Sequence, residues 1–249
     1  MDVPTNASNW LIKHTPHYIF NYKENTLAEK EIDEIMKLQE SCFSEITKTL
    51  GLTLENPIQY YLCSSKKEVK EEAGLDYECS EVTILDDIEN PVIFAVYSED
   101  LKSIGAHEDV HAIASSHGQP NSIAVVEGLA TCFDRTWRGV SNELCTYLYL
   151  EDGKYVSIAD MIDDDDYFTD LEIDVSYPIM GAFTRYLMDK YGVSLYLRLY
   201  GVQSSWEEAF VELYGQTMED VEAGFIETIR DTEYTEEELE ESKKELYED

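Results

Sequence analysis

The sequence predicts an α+β fold, with a small sheet and helices in the N-terminal half and a helical C-terminal part. Short runs rich in aromatic and β-branched residues, which are typical of strands, lie at 17–22, 58–63 and 91–97. From about residue 119 onward the apolar residues recur mainly with helical spacing. Early strands followed by a run of helices favour an α+β arrangement. We expect a single domain over residues 1–230, with an α/β part at about 15–118 and a helical part at about 119–230, then an acidic tail at 231–249.

Capping signals define the early helices. Thr26 and Glu29 form a capping box, and the helix behind them should end at Gly51. Ser65 should begin a second, shorter helix that stops at Gly74. A brief strand is expected at 82–85, within an otherwise acidic and irregular stretch.

The later signals predict a succession of helices. Ser98 is a plausible N-cap for a helix that runs to about His117, and Ser122 should begin the next helix. Pro178 is expected to start a further helix, because proline is favoured in the first helical turn. Three more helices are expected at 195–200, 206–214 and 218–229.

Two acidic stretches are expected to lie outside the regular core. The run Asp163–Asp166 lacks the spaced pattern of a calcium-binding loop, so we interpret it as a solvated loop. The residues from 231 onward are rich in glutamate, which predicts either a frayed helix or a disordered tail.

The net charge narrows the classes of partner. The chain carries 53 acidic and 18 basic residues, a formal net charge of −35. Such a surface repels nucleic acid and anionic membranes, so neither is an expected partner. It attracts cations and basic peptides, although acidity that serves only solubility is an open alternative. The sequence gives no indication of the oligomeric state.

The remaining composition favours a cytoplasmic protein. No window of about 18 apolar residues could span a membrane, and the N-terminus lacks the basic and apolar regions of a signal peptide. The five cysteines are odd in number, widely spaced and without a Cys-x-x-Cys pair, which indicates free thiols in a reducing compartment.

One motif indicates chemistry: His107-Glu108-Asp109-Val110-His111, within a segment that should be helical. Residues four apart on a helix lie about 40° apart around its axis, so both imidazoles project from one face. That spacing suits two nitrogen ligands of one tetrahedral Zn²⁺. Glu108 follows the first histidine, where its carboxylate can act as general base toward a metal-activated water. The alternative is a helix face with two solvated or packed histidines.

The register of the next helix supplies a third ligand. About six residues separate His111 from the expected end of its helix, and five separate Ser122 from Glu127. If the two helices fold antiparallel, a rise of about 1.5 Å per residue brings Glu127 level with the histidine pair. Glu127 is therefore the candidate third zinc ligand, and the fourth position is left for water.

These residues resemble the gluzincin metallopeptidases, in particular the peptidase MA-like branch. The similarity consists of the His-Glu-x-x-His motif, then Glu127-Gly128-Leu129-Ala130, and a later Tyr177-Pro178-Ile179-Met180-Gly181 stretch that continues to Tyr191-Gly192. The resemblance implies a gluzincin-like fold with a zinc-site helix pair. It also implies His107, His111 and Glu127 as ligands and Glu108 as general base. Weaker similarity in element order extends over roughly 18–230.

The resemblance also implies two features of substrate binding. The sequence departs from the family pattern at one position. Tyr177 would donate a hydrogen bond to the oxyanion, although an aromatic that packs at the start of a helix is an equal alternative. The strand Val92–Tyr97 would be the edge strand that pairs with an extended peptide. Gluzincins commonly place an acid four residues after the third ligand, but that position is Thr131 here, a weaker partner for a ligand histidine.

His117 is the remaining candidate ligand. It follows His111 at the spacing of the third ligand in metzincins, whose motif breaks the helix with a glycine where this chain has Ala114. If the helix continues, His117 points roughly 240° away from His111, so we do not expect it to bind the metal. His14 and His17 are expected to be ordinary surface or packing residues.

The sequence therefore predicts a zinc-dependent metallopeptidase whose substrates are peptides or proteins. The competing hypothesis is a non-catalytic acidic interaction protein that keeps a metallopeptidase scaffold. Retention of both histidines together with Glu108 favours the enzyme.

Overall fold

The protein has a mixed α+β fold with a small N-terminal sheet, as the sequence predicts. The computed structural model describes residues 10–247. The chain divides into two compact units, one that ends at His117 and one that begins at Gly118. The assignment of both to a single domain stays a prediction. Among the described residues, no helix is long and apolar enough to cross a membrane.

The N-terminal unit contains five strands and three helices among its described residues. In chain order they are β1 (Leu11–His14), β2 (Tyr18–Tyr22), α1 (Leu27–Leu50), β3 (Ile58–Cys63), α2 (Lys66–Ala73), β4 (Glu81–Ile84), β5 (Val92–Val96) and α3 (His107–Ala114).

The five strands form one sheet in the order β1-β2-β3-β5-β4. The central strands β2, β3 and β5 are parallel, and β1 and β4 pair antiparallel at the two edges. The expectation that Val92–Tyr97 is the edge strand was therefore wrong. The weak segment at 82–85 supplies β4, which covers β5 in the register Thr83 opposite Ile93.

Aromatic residues fill the core on one face of this sheet. Tyr18, Phe20 and Tyr60 are almost completely buried, and their rings contact one another at centroid distances of 5.1–6.1 Å. On the other face, Tyr61 and Phe94 stack and pack with α2. Burial of large side chains on both faces of the sheet stabilises the sheet and the helices that pack on it.

The early caps formed as expected. Thr26 accepts a hydrogen bond from the Glu29 backbone N–H, and α1 ends at Gly51 in the left-handed conformation. Ser65 caps α2 in the same way, and Gly74 ends it. These signals are local, so the sequence alone was sufficient to place them.

The helix predicted from Ser98 to His117 is much shorter. Residues 98–106 form a loop in which Tyr97 bridges to Lys102, and α3 begins only at His107 and ends at Ala114. Helix α1 holds this loop through Glu31, which accepts hydrogen bonds from the Tyr97 hydroxyl at 2.5 Å and from Lys102 Nζ at 2.6 Å. Ser98 Oγ also accepts a hydrogen bond from the Leu101 backbone N–H at 3.3 Å, so the local contact expected of a cap forms, but no helix follows it before His107.

The C-terminal unit is built almost entirely of helices. Its elements are α4 (Ile123–Asp134), β6 (Thr136–Trp137), β7 (Val140–Ser141), α5 (Asn142–Glu151), α6 (Ile158–Asp163), α7 (Asp165–Asp170), α8 (Ile173–Tyr191), α9 (Val193–Tyr200), α10 (Trp206–Tyr214), α11 (Met218–Arg230) and α12 (Glu236–Tyr247).

Two glycines let α4 and α8 approach closely. A Cβ at Gly181 would lie 2.9 Å from Thr131 Cγ2 and 2.7 Å from Asn142 Nδ2. A Cβ at Gly128 would lie 3.1 Å from the Met180 carbonyl oxygen. The Gly181 distances are shorter than a real Cβ tolerates, whereas those at Gly128 are tight but within reach of a small shift, so the helix pair depends on glycine mainly at Gly181.

Helix α8 starts five residues earlier than predicted, so Pro178 lies inside it. Proline cannot donate a backbone hydrogen bond, which leaves the carbonyl of Asp174 without its helical donor. The Tyr149 hydroxyl donates to that carbonyl instead, at 2.5 Å. The interior proline is therefore tolerated because a neighbouring helix supplies the missing donor.

The acidic stretches are more ordered than the sequence suggested. The stretch Asp163–Asp166 is largely exposed, as expected, but the expectation of a loop was wrong: Asp163 ends α6, and Asp164 caps α7 by accepting from the Tyr167 backbone N–H. In the expected tail, α12 packs against α5, and Leu246 is buried.

Candidate metal centre

The helix α3 carries both candidate histidines, and it begins directly after a loop whose turn requires glycine. Gly105 adopts a φ of +152°, a conformation that side-chain-bearing residues rarely take. Ala106 offers no side-chain cap. The Gly105 carbonyl is held instead by the Gln39 side-chain amide of α1 at 2.9 Å. The start of α3 therefore depends on α1.

Asp109 fixes the rotation of α3 about its axis. Its carboxylate is completely buried and accepts hydrogen bonds from the Tyr18 hydroxyl at 2.6 Å and from Gln39 Nε2 at 3.0 Å. Burial raises the pKa of Asp109 well above its usual range, against the opposing effect of these two hydrogen bonds. Residues two apart on a helix lie about 200° apart. Anchoring Asp109 inward therefore turns His107 and His111 to the opposite face.

The two imidazoles are close together, as their spacing predicts. The ring centroids of His107 and His111 are 4.9 Å apart, and the rings are nearly perpendicular at 84°. Both residues are half-buried. Neighbouring, partly shielded imidazoles suit a shared ion better than two solvated histidines.

Glu127 completes a group of three possible ligands. One ligand atom each from His107, His111 and Glu127 lie within 4.8 Å of one another, and no other such group occurs among residues 10–247. Glu127 lies on α4 directly before Gly128, one of the two glycines that set α4 against α8.

This set of donors fits zinc. Two imidazole nitrogens and one carboxylate oxygen form a known catalytic zinc ligand set, which leaves a fourth position for water. Ideal tetrahedral ligands at about 2.0–2.1 Å from the ion would lie roughly 3.4 Å apart. The 4.8 Å limit on the observed separations is within reach of that value through small side-chain rotations.

Glu108 lies beside the histidine pair and is held by a partner that the sequence did not reveal. It is only 7% exposed. The Thr83 hydroxyl of β4 donates to Glu108 Oε2 at 2.5 Å and lies 3.1 Å from the Glu108 carbonyl oxygen. The candidate base is thus attached to the edge strand of the sheet.

Tyr177 lies among aromatic rings. Its ring stacks on Phe168 at 5.7 Å and contacts Trp137 at 5.6 Å. This environment is the one expected of a packing residue, and the oxyanion role stays a prediction. A second tyrosine lies near the acidic ligand: burial raises the pKa of Tyr200, and the negative charge of Glu127 adds to that effect.

The remaining sequence candidates lie outside the group. His117 follows the end of α3, is exposed, and does not belong to the ligand cluster. Thr131 is buried at the contact with Gly181, and its hydroxyl makes no hydrogen bond within the described chain. Thr131 therefore does not replace the acid that gluzincins commonly carry at this position.

Two of the residues that hold the site gave no usable sequence signal. Thr83 lies in a weak four-residue strand, and Gln39 lies on a helix 66 residues before the loop it holds. Each makes a contact with a distant part of the chain.

Comparison with known proteins adds no assignment. No protein-family model matches the chain, and no curated protein is significantly similar to it.

Proposed function

We propose that this protein is a zinc-dependent metallopeptidase of gluzincin type. The observation that carries the proposal is the grouping of His107, His111 and Glu127, with the buried Glu108 next to the first histidine. A metal-binding group of three ligands needs only proximity, but a peptidase also needs a base beside the ion. Glu108 is the residue in that position.

The residues of the chain have defined roles in this proposal. Zinc, when bound, supplies a Lewis acid that activates water and polarises the scissile carbonyl. Glu108 takes the proton of the attacking water and then passes it to the nitrogen of the leaving amine. His107, His111 and Glu127 hold the ion through two nitrogens and one oxygen. Tyr177 is proposed as a donor to the oxyanion, a role that Tyr177→Phe tests through kcat.

An extended peptide substrate would pair with β4 rather than with β5. Strand β5 is enclosed between β3 and β4, whereas β4 is the edge of the sheet. An edge strand presents unpaired backbone groups, and a peptide can add to them as a further strand. Since Thr83 of β4 contacts Glu108, a peptide on this edge would run past the base. The net charge of −35 favours basic or neutral peptides.

The alternative function is a non-catalytic interaction protein for a basic partner. The charge of −35 is the observation in its favour. It does not explain why the possible ligands His107, His111 and Glu127 lie together.

The first experiment is a measurement of metal content on protein purified without a histidine tag. We expect about one zinc per chain, bound with the usual stoichiometry of a catalytic site, and loss of that zinc in His111→Ala. Glu108→Gln should retain the zinc and lose hydrolysis in a peptide-library screen, because the amide cannot accept the proton. Zinc-free protein after reconstitution, or a fully active Glu108→Gln variant, would contradict the proposal.

A further inference from the structure

A cavity within the C-terminal unit brings together two of the five arginines of the chain. Its volume is about 430 Å³, which is in the usual range of small-molecule sites. Arg135 at the end of α4 and Arg185 on α8 line it, together with the start of α5. We call it the arginine cavity. In a chain with 53 acidic and 18 basic residues, two guanidinium groups at one cavity reverse the overall charge locally.

Arg185 is the residue of this cavity that can bind an anion directly. Its side chain is half-buried, and its one hydrogen bond to the described residues is long, from Nη2 to the Cys132 carbonyl oxygen at 3.5 Å. It makes no ion pair within residues 10–247, although Asp189 follows it by one turn on α8 and Glu143 lines the same cavity. A guanidinium has five N–H donors in a planar fork that matches a carboxylate through two parallel hydrogen bonds. This fork is therefore available to a ligand.

The other charges around the arginine cavity set the charge of that ligand. Arg135 interacts with other residues of the chain, so it contributes positive potential and is not assigned a direct bond. The start of α5, where Ser141 is the N-cap, adds the positive partial charge of a helix N-terminus. The carboxylate of Glu143 opposes both effects. Two arginines against one glutamate leave one net positive charge, which matches a ligand with a single negative charge.

A further part of the cavity wall is uncharged. Burial raises the pKa of the Cys132 thiol to about 12, although the charge of Arg185 opposes that shift. The thiol is therefore protonated at neutral pH and behaves as a small apolar group. Gly181 lines the cavity without a side chain. This part of the wall suits a short hydrocarbon better than a strongly hydrated inorganic ion.

We propose that the arginine cavity binds a small organic monocarboxylate, whose carboxylate pairs with the Arg185 guanidinium and whose hydrocarbon part packs near Cys132 and Gly181. A phosphate dianion would carry more negative charge than the lining balances, and it would be repelled by Glu143. None of the residues that line the cavity belongs to the candidate metal centre. The inference does not depend on the proposed peptidase function.

An NMR titration of the 249-residue chain with butyrate tests the proposal. Butyramide, which has nearly the same shape and no charge, is the control ligand. The protein is kept free of metal, so that no ion can bind the carboxylate in place of Arg185. Butyrate should shift the arginine side-chain N–H signals in a saturable way, with a dissociation constant of about 10 mM or tighter. Butyramide should produce no saturable shift.

Three variants locate the binding. Arg185→Gln should weaken butyrate binding by about fivefold or more, because it removes the charge and the planar fork. Glu143→Gln should strengthen binding by about threefold, because it removes the opposing carboxylate. Arg198→Gln is the matched control: it changes the net charge of the chain as Arg185→Gln does, but at an exposed arginine on α9 that pairs with Glu212. Its dissociation constant should stay within about 1.5-fold of the parent.

Several outcomes would overturn the proposal. Unsaturable binding of butyrate, equal binding of butyramide, or equal losses in Arg185→Gln and Arg198→Gln would show that the cavity is not a carboxylate site. An unchanged or weaker affinity in Glu143→Gln would have the same meaning, and this variant decides the matter if Arg185→Gln does not fold. Tighter binding of inorganic phosphate than of butyrate would overturn the assignment to a monocarboxylate and indicate a phosphate ligand.

Discussion

The Tyr149 hydroxyl donates to the carbonyl oxygen of Asp174 at 2.5 Å, the oxygen that Pro178 deprives of its helical donor. The Asp174 carboxylate is also held, by Trp137 Nε1 at 2.9 Å and by Arg138 at 2.7 Å. Asp174 in the first turn of α8 is thus held by three side chains from outside the helix. Tyr177, the proposed oxyanion donor, lies in the next turn.

Tyr149→Phe should destabilise the protein by about 1 kcal/mol, because it leaves a partly buried carbonyl without its donor. Denaturant unfolding measures the change. Tyr147→Phe on the same helix is the control, since the Tyr147 ring contacts Tyr234 and its hydroxyl makes no hydrogen bond to the described residues. Equal stabilities of the two variants would mean that Asp174 does not depend on Tyr149.

Gly181→Ala should destabilise the protein by about 1–2 kcal/mol, and Gly128→Ala should have a smaller effect. Alanine gains about 1 kcal/mol over glycine in a helix, whereas overpacking costs about 1–3 kcal/mol. At Gly181 the new methyl would lie within 3.1 Å of the Thr131 backbone, which cannot move aside, so overpacking dominates. At Gly128 the nearest atoms are at 3.0–3.2 Å, and the two effects nearly offset each other.

The control for both glycines is Gly118→Ala, where the nearest atom would be at an ordinary 3.6 Å. Thermal or denaturant unfolding ranks the three variants. A Gly181→Ala protein as stable as the parent would show that α4 and α8 can separate without cost.

Glu127→Ala should weaken zinc binding by about 100-fold or more, because it removes one of three ligands, whereas His117→Ala should leave the affinity unchanged. Competition with a chromophoric chelator measures both constants. His117 is exposed and lies outside the ligand group, so it is the matched control. The reverse order of effects would point to a metzincin-like site with His117 as the third ligand.

Acid should loosen the loop before α3 through Glu31. Hydrogen bonds from Lys102 and Tyr97 hold the pKa of Glu31 below its ordinary value of 4.5. A carboxyl group whose pKa is lower in the folded than in the unfolded protein stabilises the fold at any pH above its unfolded-state pKa. That stabilisation is lost as the pH falls through the pKa of the folded state. The parent should therefore be more stable than Glu31→Gln at neutral pH, and the difference should close below about pH 4.5.

Unfolding of both proteins between pH 3 and pH 7 measures this difference. Glu34→Gln, which removes the charge of an exposed glutamate on the same helix, is the matched control. A gap for Glu31→Gln that is constant with pH would show that Glu31 does not act through its charge.

The sequence was most informative where a few neighbouring residues decide the structure. Thr26 and Ser65 placed two helix starts, and the spacing of His107 and His111 placed two imidazoles together. It failed where the deciding contact is distant. Ser98 makes the local contact of a cap with Leu101, but the segment after it is a loop whose Lys102 contacts Glu31 of α1.

Contacts between distant parts of the chain also explain why the edge strand of the sheet and the start of α8 were predicted wrongly. Strand β5 has the clearest strand pattern in the sequence, but that pattern does not show which strands pair with it. A weaker segment, 10 residues earlier in the chain, pairs with its outer edge. Pro178 marks a helix start in isolation, but Tyr149 allows the helix to begin earlier.

The run of four aspartates also has an effect beyond its own helices. Asp165 accepts a hydrogen bond from the backbone N–H of Ile123 at 2.7 Å, so it caps α4, where Ser122 makes no side-chain cap. The four acids are consequently not interchangeable. Replacing Asp165 would release the first turn of the helix that carries Glu127, whereas Asp166 can vary with little effect. A tract that looks like uniform low-complexity sequence thus contains two adjacent aspartates, Asp164 and Asp165, that each cap a different helix.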